Sequence, residues 1–289
     1  MKYAIVSDIH ANIEALNAVL PVIEAEHSDR IVCLGDLVGY YANPNDCLKI
    51  IEDSGIICIS GNHDRAAVGL KEMSRLWSGA KHAMIWTQKQ LTLESRRFLQ
   101  SLPLTQIIDG LFLAVHSSLD PDPDADFYMQ SEDDTRPTFN TLMQHPSHPM
   151  ICFFGHTHHA MVYQYDNGAI HKMAGNRIDL NRSCYYLINP GSVGQSRDSD
   201  KRASFLIYDT DQSTVSFYRV DYDSKNCLQK ARQAGILYEE GILSGWLEEI
   251  KIIAKKQFPT LCGVAKKMIR KRWLGGKFSD GGGDPYDRR

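Results

Sequence analysis

No pair of cysteines stands at C-x-x-C spacing anywhere in the 289 residues. The seven cysteines, at positions 33, 47, 58, 152, 184, 227 and 262, are scattered singly. An odd count without paired spacing argues against a disulfide framework and a thiolate zinc site. Cys33, Cys58 and Cys152 lie within apolar runs and read as buried free thiols. Long apolar runs are also missing, so no segment reads as a membrane span. The first residues, "MKYAIVSDIH", hold one lysine and a short apolar run, too little for a signal-peptide core. The expectation is a cytoplasmic protein. A strong overall charge is missing as well: the net is -3. It is unevenly spread, because residues 223–289 hold 14 basic and 8 acidic side chains, whereas the rest is acidic. An acidic body suits a site that gathers cations, and the basic C-terminal stretch reads as a solvated helix face.

What is present is an alternation of strands and helices. "KYAIVSD", "RIVCLGD", "IICISGNHD", "GLFLAVHSS" and "MICFFGHTHH" read as five strands that end in polar loops. A helix follows the first, with Pro21 as a kink or break. A second runs from Asn43-Pro44 to Gly55, and residues 65–101 look helical. Residues 119–149 open with a Pro/Asp-rich loop, followed by a helix near 135–145. Shorter strands come next, with Asp166-Asn167-Gly168 as a hairpin turn. From 224 the chain turns helical, and "GGKFSDGGGDPYDRR" has the composition of a disordered tail. The expected class is a layered α/β sandwich, with its site at the C-terminal ends of the strands.

Those five ends deliver, in order, Asp8-Ile9-His10, Gly35-Asp36, Gly61-Asn62-His63-Asp64, His116 and Gly155-His156-Thr157-His158. One D-x-H is weak evidence. Five successive strand ends bearing carboxylate, imidazole or carboxamide answer no structural need. The mixed nitrogen and oxygen set suits manganese, iron, zinc, cobalt or nickel better than calcium. Two carboxylates with four or more imidazoles exceed what one ion takes. Two ions about 3.5–4 Å apart, sharing a carboxylate, can clamp both oxygens of a phosphoryl displacement.

The order D-x-H, G-D-x-x-G, G-N-H-D, H, G-H-x-H resembles the calcineurin-like metallophosphoesterase superfamily. The strings "VSDIHANIEAL", "GDLVGYYANPNDC", "GNHDRA" and "NPGSVG" are similar to a bacterial branch of phosphodiesterases and diadenosine tetraphosphate hydrolase-like proteins. The resemblance implies a four-layer α-β-β-α sandwich of two mixed β-sheets flanked by helices over residues 1–222. A C-terminal helical extension (223–273) and a disordered tail (274–289) would follow. It implies that Asp8, His10 and His158 hold one metal, that Asn62, His116 and His156 hold the other, and that Asp36 bridges both. His63 would contact phosphate or protonate the leaving oxygen, oriented by Asp64. The implied reaction is in-line attack on phosphorus by a metal-bridging hydroxide.

Other residues have two readings each. Arg65 is a candidate phosphate contact or a surface ion pair. Tyr40 and Tyr41 either stack on a base or merely pack. Arg197 is a candidate phosphate contact, and Asn189-Pro190-Gly191-Ser192 a turn that shapes the pocket. His159 falls outside the motif and reads as a rim residue. Asp122, Asp124 and Asp126 lack the Gly and Glu of a calcium loop and read as exposed. Ser117-Ser118 and Tyr41-Ala42 depart from the family pattern and bear on pocket shape. The expected substrate is a small phosphorylated compound or nucleotide. No membrane partner is expected, and a homo-oligomer is left open. A non-catalytic scaffold is disfavoured by the complete ligand set, and a DNA nuclease by the acidic body.

Overall fold

The computed structural model describes residues 1–236, apart from 77, 121 and 123–125. The rest of the expected C-terminal extension and the expected tail lie outside the described residues. No helix among the described residues is long and apolar enough to cross a membrane.

Strand β1 (Lys2–Val6) sets the pattern. Its side chains alternate between two cores, Tyr3 and Ile5 on one face and Ala4 and Val6 on the other. Strands β2 (Arg30–Cys33) and β3 (Ile57–Cys58) extend it in parallel, and β11 (Ala203–Asp209) flanks it antiparallel. With β12 (Thr214–Val220) and β9 (Arg177–Asp179) the first sheet has the order β3-β2-β1-β11-β12-β9. The second is built from β4 (Thr105–Ile108), β5 (Phe112–Val115), β6 (Ile151–Phe153), β7 (Ala160–Asp166), β8 (Ala169–Met173) and β10 (Tyr185–Pro190). Its order is β4-β5-β6-β10-β7-β8, and it too mixes parallel and antiparallel pairs.

The two sheets bury a shared core of Tyr3, Phe112, Phe153, Tyr186, Leu206 and Tyr208, with edge-to-face ring contacts. Helices α1 (Ile13–Ala25), α2 (Pro44–Asp53), α4 (Ser78–Gln90) and α5 (Leu93–Ser101) contribute Leu16, Leu48, Met84 and Leu99 to the outer core of the first sheet. Helix α6 (Glu132–Met143) covers the second sheet with Phe139 and Leu142. The four-layer sandwich is therefore present, with two mixed sheets flanked by helices.

Two local expectations change, and one strand is unexpected. Pro21 neither breaks nor ends α1, which runs through it to Ala25. The span 65–101 is not one helix: α3 (Asn62–Ala67), a 3₁₀ turn (Met73–Arg75), α4 and α5 divide it. Strand β4 has no clear alternation, and its pairing with β5 rather than its own pattern creates it. The Asp166-Asn167-Gly168 hairpin is as read, with Asn167 and Gly168 both at positive φ.

Helix α7 (Ser224–Gln233) begins the expected extension and packs on α1. Glu14 Oε1 accepts from Asn226 Nδ2 at 2.8 Å and pairs with Lys230 Nζ at 2.6 Å. Ala231 and Ile236 bury against Ala83 and Tyr41. A chain ending at Tyr222 loses this cover, exposes the apolar surface beneath α7 and removes both partners of Glu14. Such a truncation should lower unfolding free energy by about 2–4 kcal/mol. Urea denaturation followed by circular dichroism measures it, and an unchanged midpoint would contradict the packing argument.

Candidate metal centre

The loops after β1, β2, β3, β5 and β6 meet at one end of the sandwich. Backbone bonds tie them together: Asp8 N–H donates to Gly35 O (3.0 Å), His10 N–H to Asp36 O (2.9 Å) and Gly155 N–H to His116 O (2.8 Å). Side chains add to this. The Asp8 carboxylate accepts from His156 N–H, and Asp36 Oδ1 accepts from His63 N–H at 2.8 Å. The contacts are close enough to require glycine. A Cβ on Gly61 would strike the Asp36 backbone and carboxylate, and one on Gly155 would strike Ser7 Oγ. Five of the seven expected ligands, Asp8, His10, Asp36, His156 and His158, have left-handed backbone, with φ between +52° and +67°.

Three imidazoles are held alike. Nδ1 of His10 lies 3.2 Å from Val38 O, Nδ1 of His116 lies 2.7 Å from Leu34 O, and Nδ1 of His158 lies 2.7 Å from Gln195 O. A carbonyl only accepts, so each Nδ1 carries its proton, and each Nε2 turns inward. There the Nε2 atoms meet other acceptors. His10 and His158 face each other Nε2 to Nε2 at 3.0 Å. His158 Nε2 is 3.3 Å from Asp8 Oδ1, and His116 Nε2 is 3.3 Å from Asp36 Oδ2 and 3.0 Å from Asn62 Oδ1. His156 Nδ1 approaches the same Asn62 oxygen at 3.1 Å, and its Nε2 is buried with no partner. Lone pairs converging out of water repel unless a cation or proton joins them. This donor set fits divalent cations. Asp8, His10 and His158 form one trio and Asp36, His116 and His156 another, each with ligand atoms within 4.8 Å. Asp36 Oδ2 lies between the two, 3.8 Å from His10 Nε2 and 3.3 Å from His116 Nε2.

Burial pushes His10 and His156 well below the usual imidazole range. His116 goes the other way: burial pushes it down, but the charge and hydrogen bond of Asp36, the Asp8 charge and the Leu34 carbonyl together raise it to about 10. Asp36 is pushed up by burial, yet the imidazoles led by His116 hold it well below the ordinary carboxylate value.

His63 and Asp64 depart from expectation. Asp64 does not orient the His63 ring. Its carboxylate accepts from the backbone N–H groups of Leu37 (2.8 Å), Val38 (3.2 Å) and Gly61 (3.0 Å), so it clamps the second loop to the third. His63 Nδ1 is buried without a partner, and burial pushes the ring to about 4. The ring is therefore neutral near pH 7.

A pocket of about 190 Å³ opens over the cluster. It is lined by Tyr40, Leu76, Asp126, Tyr128 and Arg197 besides the cluster residues. Arg65 and Tyr41 are not among the lining residues. Arg65 donates to Leu70 O, and Tyr41 packs against Ala83 and Ala231 while hydrogen-bonding with Gln195. For Tyr41 the packing reading therefore replaces base stacking. Asp126 is not an exposed loop residue. Its carboxylate lines the pocket and pairs with the buried Lys71 at 3.0 Å, whereas Asp122 is exposed and Asp124 lies outside the described residues. His159 binds Asp198, which also takes Arg219, so it braces the rim. The Asn189–Ser192 turn braces the floor: Asn189 Nδ2 donates to Gly155 O at 2.7 Å and Ser192 Oγ to Asp8 O at 2.8 Å. Tyr128 and Leu76 were invisible to motif reasoning because their loops carry no periodic pattern.

Residues 1–213 match the calcineurin-like phosphoesterase superfamily domain. The chain belongs to that superfamily. It is 36% identical over 229 residues to an uncharacterised protein of Methanocaldococcus jannaschii, covering 78% of this chain and 90% of that one. A crystal structure of a metallophosphoesterase from Sphaerobacter thermophilus is 36% identical, with a TM-score of 0.70 over 84% of this chain and 97% of that one. A hypothetical protein from Pyrococcus horikoshii, 17% identical, shares the fold with a TM-score of 0.67 over 83% and 96% of the two chains.

A proton on His116 Nε2 and a metal ion compete for one lone pair. Because its pKa is raised to about 10, His116 is protonated at pH 7 in metal-free protein, and metal affinity should rise with pH. Binding of Mn²⁺ or Zn²⁺ at pH 7 is expected to release about one proton per chain. Calorimetry in buffers of different ionisation enthalpy measures this, and a binding heat independent of buffer would contradict it.

Proposed function

We propose that the chain is a metal-dependent phosphoesterase that hydrolyses phosphodiester or nucleotide phosphate bonds, using two divalent ions drawn from Mn, Fe, Zn, Co or Ni. One observation carries the reading: acceptor atoms on five strand-end loops converge with too few protons to pair them. Membership in the superfamily supports it, and so does the pocket over the cluster.

In this reading Asp8, His10 and His158 would hold one ion, Asn62, His116 and His156 would hold the other, and Asp36 would serve both. When bound, such ions supply Lewis-acid charge neutralisation and acidify water. The chain's own residues do the positioning. The carbonyls of Val38, Leu34 and Gln195 fix the ring tautomers and turn each Nε2 toward the cluster. His63 lines the pocket as a neutral ring. Nearby cations only depress its basicity further, so its role is a hydrogen bond to a phosphoryl oxygen rather than storage of a proton. Leu76 contributes an apolar side chain to the same pocket wall.

The test is hydrolysis of phosphomonoesters, phosphodiesters, cyclic nucleotides and dinucleoside polyphosphates with defined metals. Chelation should abolish turnover and metal addition restore it. Asp36→Asn should lower kcat/KM by roughly 10³-fold and lower metal content, whereas His63→Ala should lose roughly 10²-fold with metal content retained. Full turnover by metal-free protein would sink the proposal.

A further inference from the structure

The pocket has one Arg or Lys among its described lining residues, Arg197, and the fold spends several interactions on placing it. The backbone comes first. Arg197 N–H donates to His158 O at 3.1 Å, and Gln195 O accepts from His158 Nδ1. The next residue, Asp198, is pinned by Ala160 N–H (3.3 Å), by His159 Nδ1 (3.1 Å) and by Arg219. The start of the Arg197 side chain is thus locked to the loop that carries His156 and His158.

The side chain is guided by two tyrosines. Its Nη2 lies 3.5 Å from the Tyr40 hydroxyl, and its guanidinium carbon sits 6.0 Å from the centre of the Tyr128 ring, at cation–π range. The tyrosines rest on opposite parts of the cluster. Tyr40 packs on His10 (4.5 Å between centroids) and His63 (4.8 Å), and Tyr128 packs on His156 (4.3 Å). Tyr40 has left-handed backbone directly after Gly39, which turns its ring back over the ligands. Together the three side chains make an arch from one trio of ligands to the other. The Arg197 charge also reaches His63 and His156, where it disfavours protonation. The Lys71 side chain, 5% exposed, is paired with Asp126 of the pocket wall.

We infer that Arg197 is a phosphoryl-binding group of this site alongside His63, and that Tyr40 and Tyr128 are positioning residues that hold its guanidinium over both trios of ligands. The inference rests on the phosphoesterase reading. A planar guanidinium matches two phosphoryl oxygens, and a pre-placed one loses less freedom on binding than a mobile lysine. The tyrosines differ in what they give. Tyr128 offers a ring face, and Tyr40 offers a hydroxyl as well as a ring.

The test uses the full chain loaded with Mn²⁺ and bis(p-nitrophenyl) phosphate. Arg197→Ala is expected to lower kcat/KM about 100-fold, with metal content unchanged and partial recovery on adding guanidinium ion. Tyr128→Leu should lose about tenfold, and Tyr128→Phe should restore most of that loss. In the Arg197→Ala background Tyr128→Leu should cost little more, because the ring acts through the arginine. Wild-type kcat/KM in Arg197→Ala, absence of guanidinium rescue with metal retained, or a Tyr128→Leu loss that adds in full would each overturn the inference. Calorimetry of inorganic phosphate on the metal-loaded protein gives a readout without turnover. Phosphate affinity should fall at least tenfold in Arg197→Ala, and equal affinity overturns the arginine's role. If wild-type protein hydrolyses no phosphoester, the proposed function fails, and phosphate affinity still decides whether Arg197 binds the anion.

Discussion

The rest of the molecule is arranged around three imidazole-to-carbonyl hydrogen bonds. Val38, Leu34 and Gln195 each take the Nδ1 proton of a histidine and so turn an Nε2 inward. Those atoms meet Asp8, Asp36, Asn62 and one another at 3.0–3.3 Å. Neutral histidines alone cannot satisfy such a centre, because every inward group accepts. A bound cation or an added proton is needed to join these acceptors, and the two compete for the same lone pairs.

Holding acceptors together has a structural cost that is visible in the backbone. Asp8, His10, Ala11, Asp36, Tyr40, His156 and His158 all have positive φ. Each costs on the order of 1 kcal/mol, less for Asp and His than for branched residues. The opposing contributions are the bonds between loops. Asp64 takes three backbone N–H groups, Asn12 caps α1 while donating to Gly194 O, and Ser192 and Asn189 brace Asp8 and Gly155. The parallel strands supply the rigid part: β1, β2 and β3 on one sheet and β5 and β6 on the other fix where each loop starts.

The sequence was readable where one physical signal was local. Apolar strands that end in Asp, His or Asn are visible without neighbours, so the strand ends that converge in the cluster could be read off directly. The sandwich followed from strand and helix alternation. What failed was anything decided by partners far along the chain. Asp64 follows His63 in sequence, which suggests an acid–imidazole pair, yet its bonds go 26 and 27 residues back to Val38 and Leu37. Pro21 looks like a breaker, but burial of Leu16, Val19 and Ile23 keeps α1 intact around it. Tyr128 and Asp126 sit in a Pro/Asp-rich loop whose composition says only that it is irregular. Arg65 is adjacent to a motif and off the pocket, whereas Arg197 is outside every motif and lines it. Proximity in sequence to ligands is thus poor evidence of proximity to substrate.

The choice of donors also bears on what the site attracts. The expected ligand set has two carboxylates, Asp8 and Asp36, against four imidazoles and one carboxamide. In the proposed reading two divalent ions would leave about two positive charges uncompensated at the floor. Further carboxylate or thiolate ligands would quench that charge. Imidazole and carboxamide bind metal without doing so, and burial keeps His10 and His156 neutral and available. Arg197 adds a positive charge from above, while Asp126 on the pocket wall is offset by Lys71. In that reading the pocket favours an anion, although the protein as a whole carries a net charge of -3. Local donor chemistry, and not overall charge, sets the field that a phosphoryl group would meet.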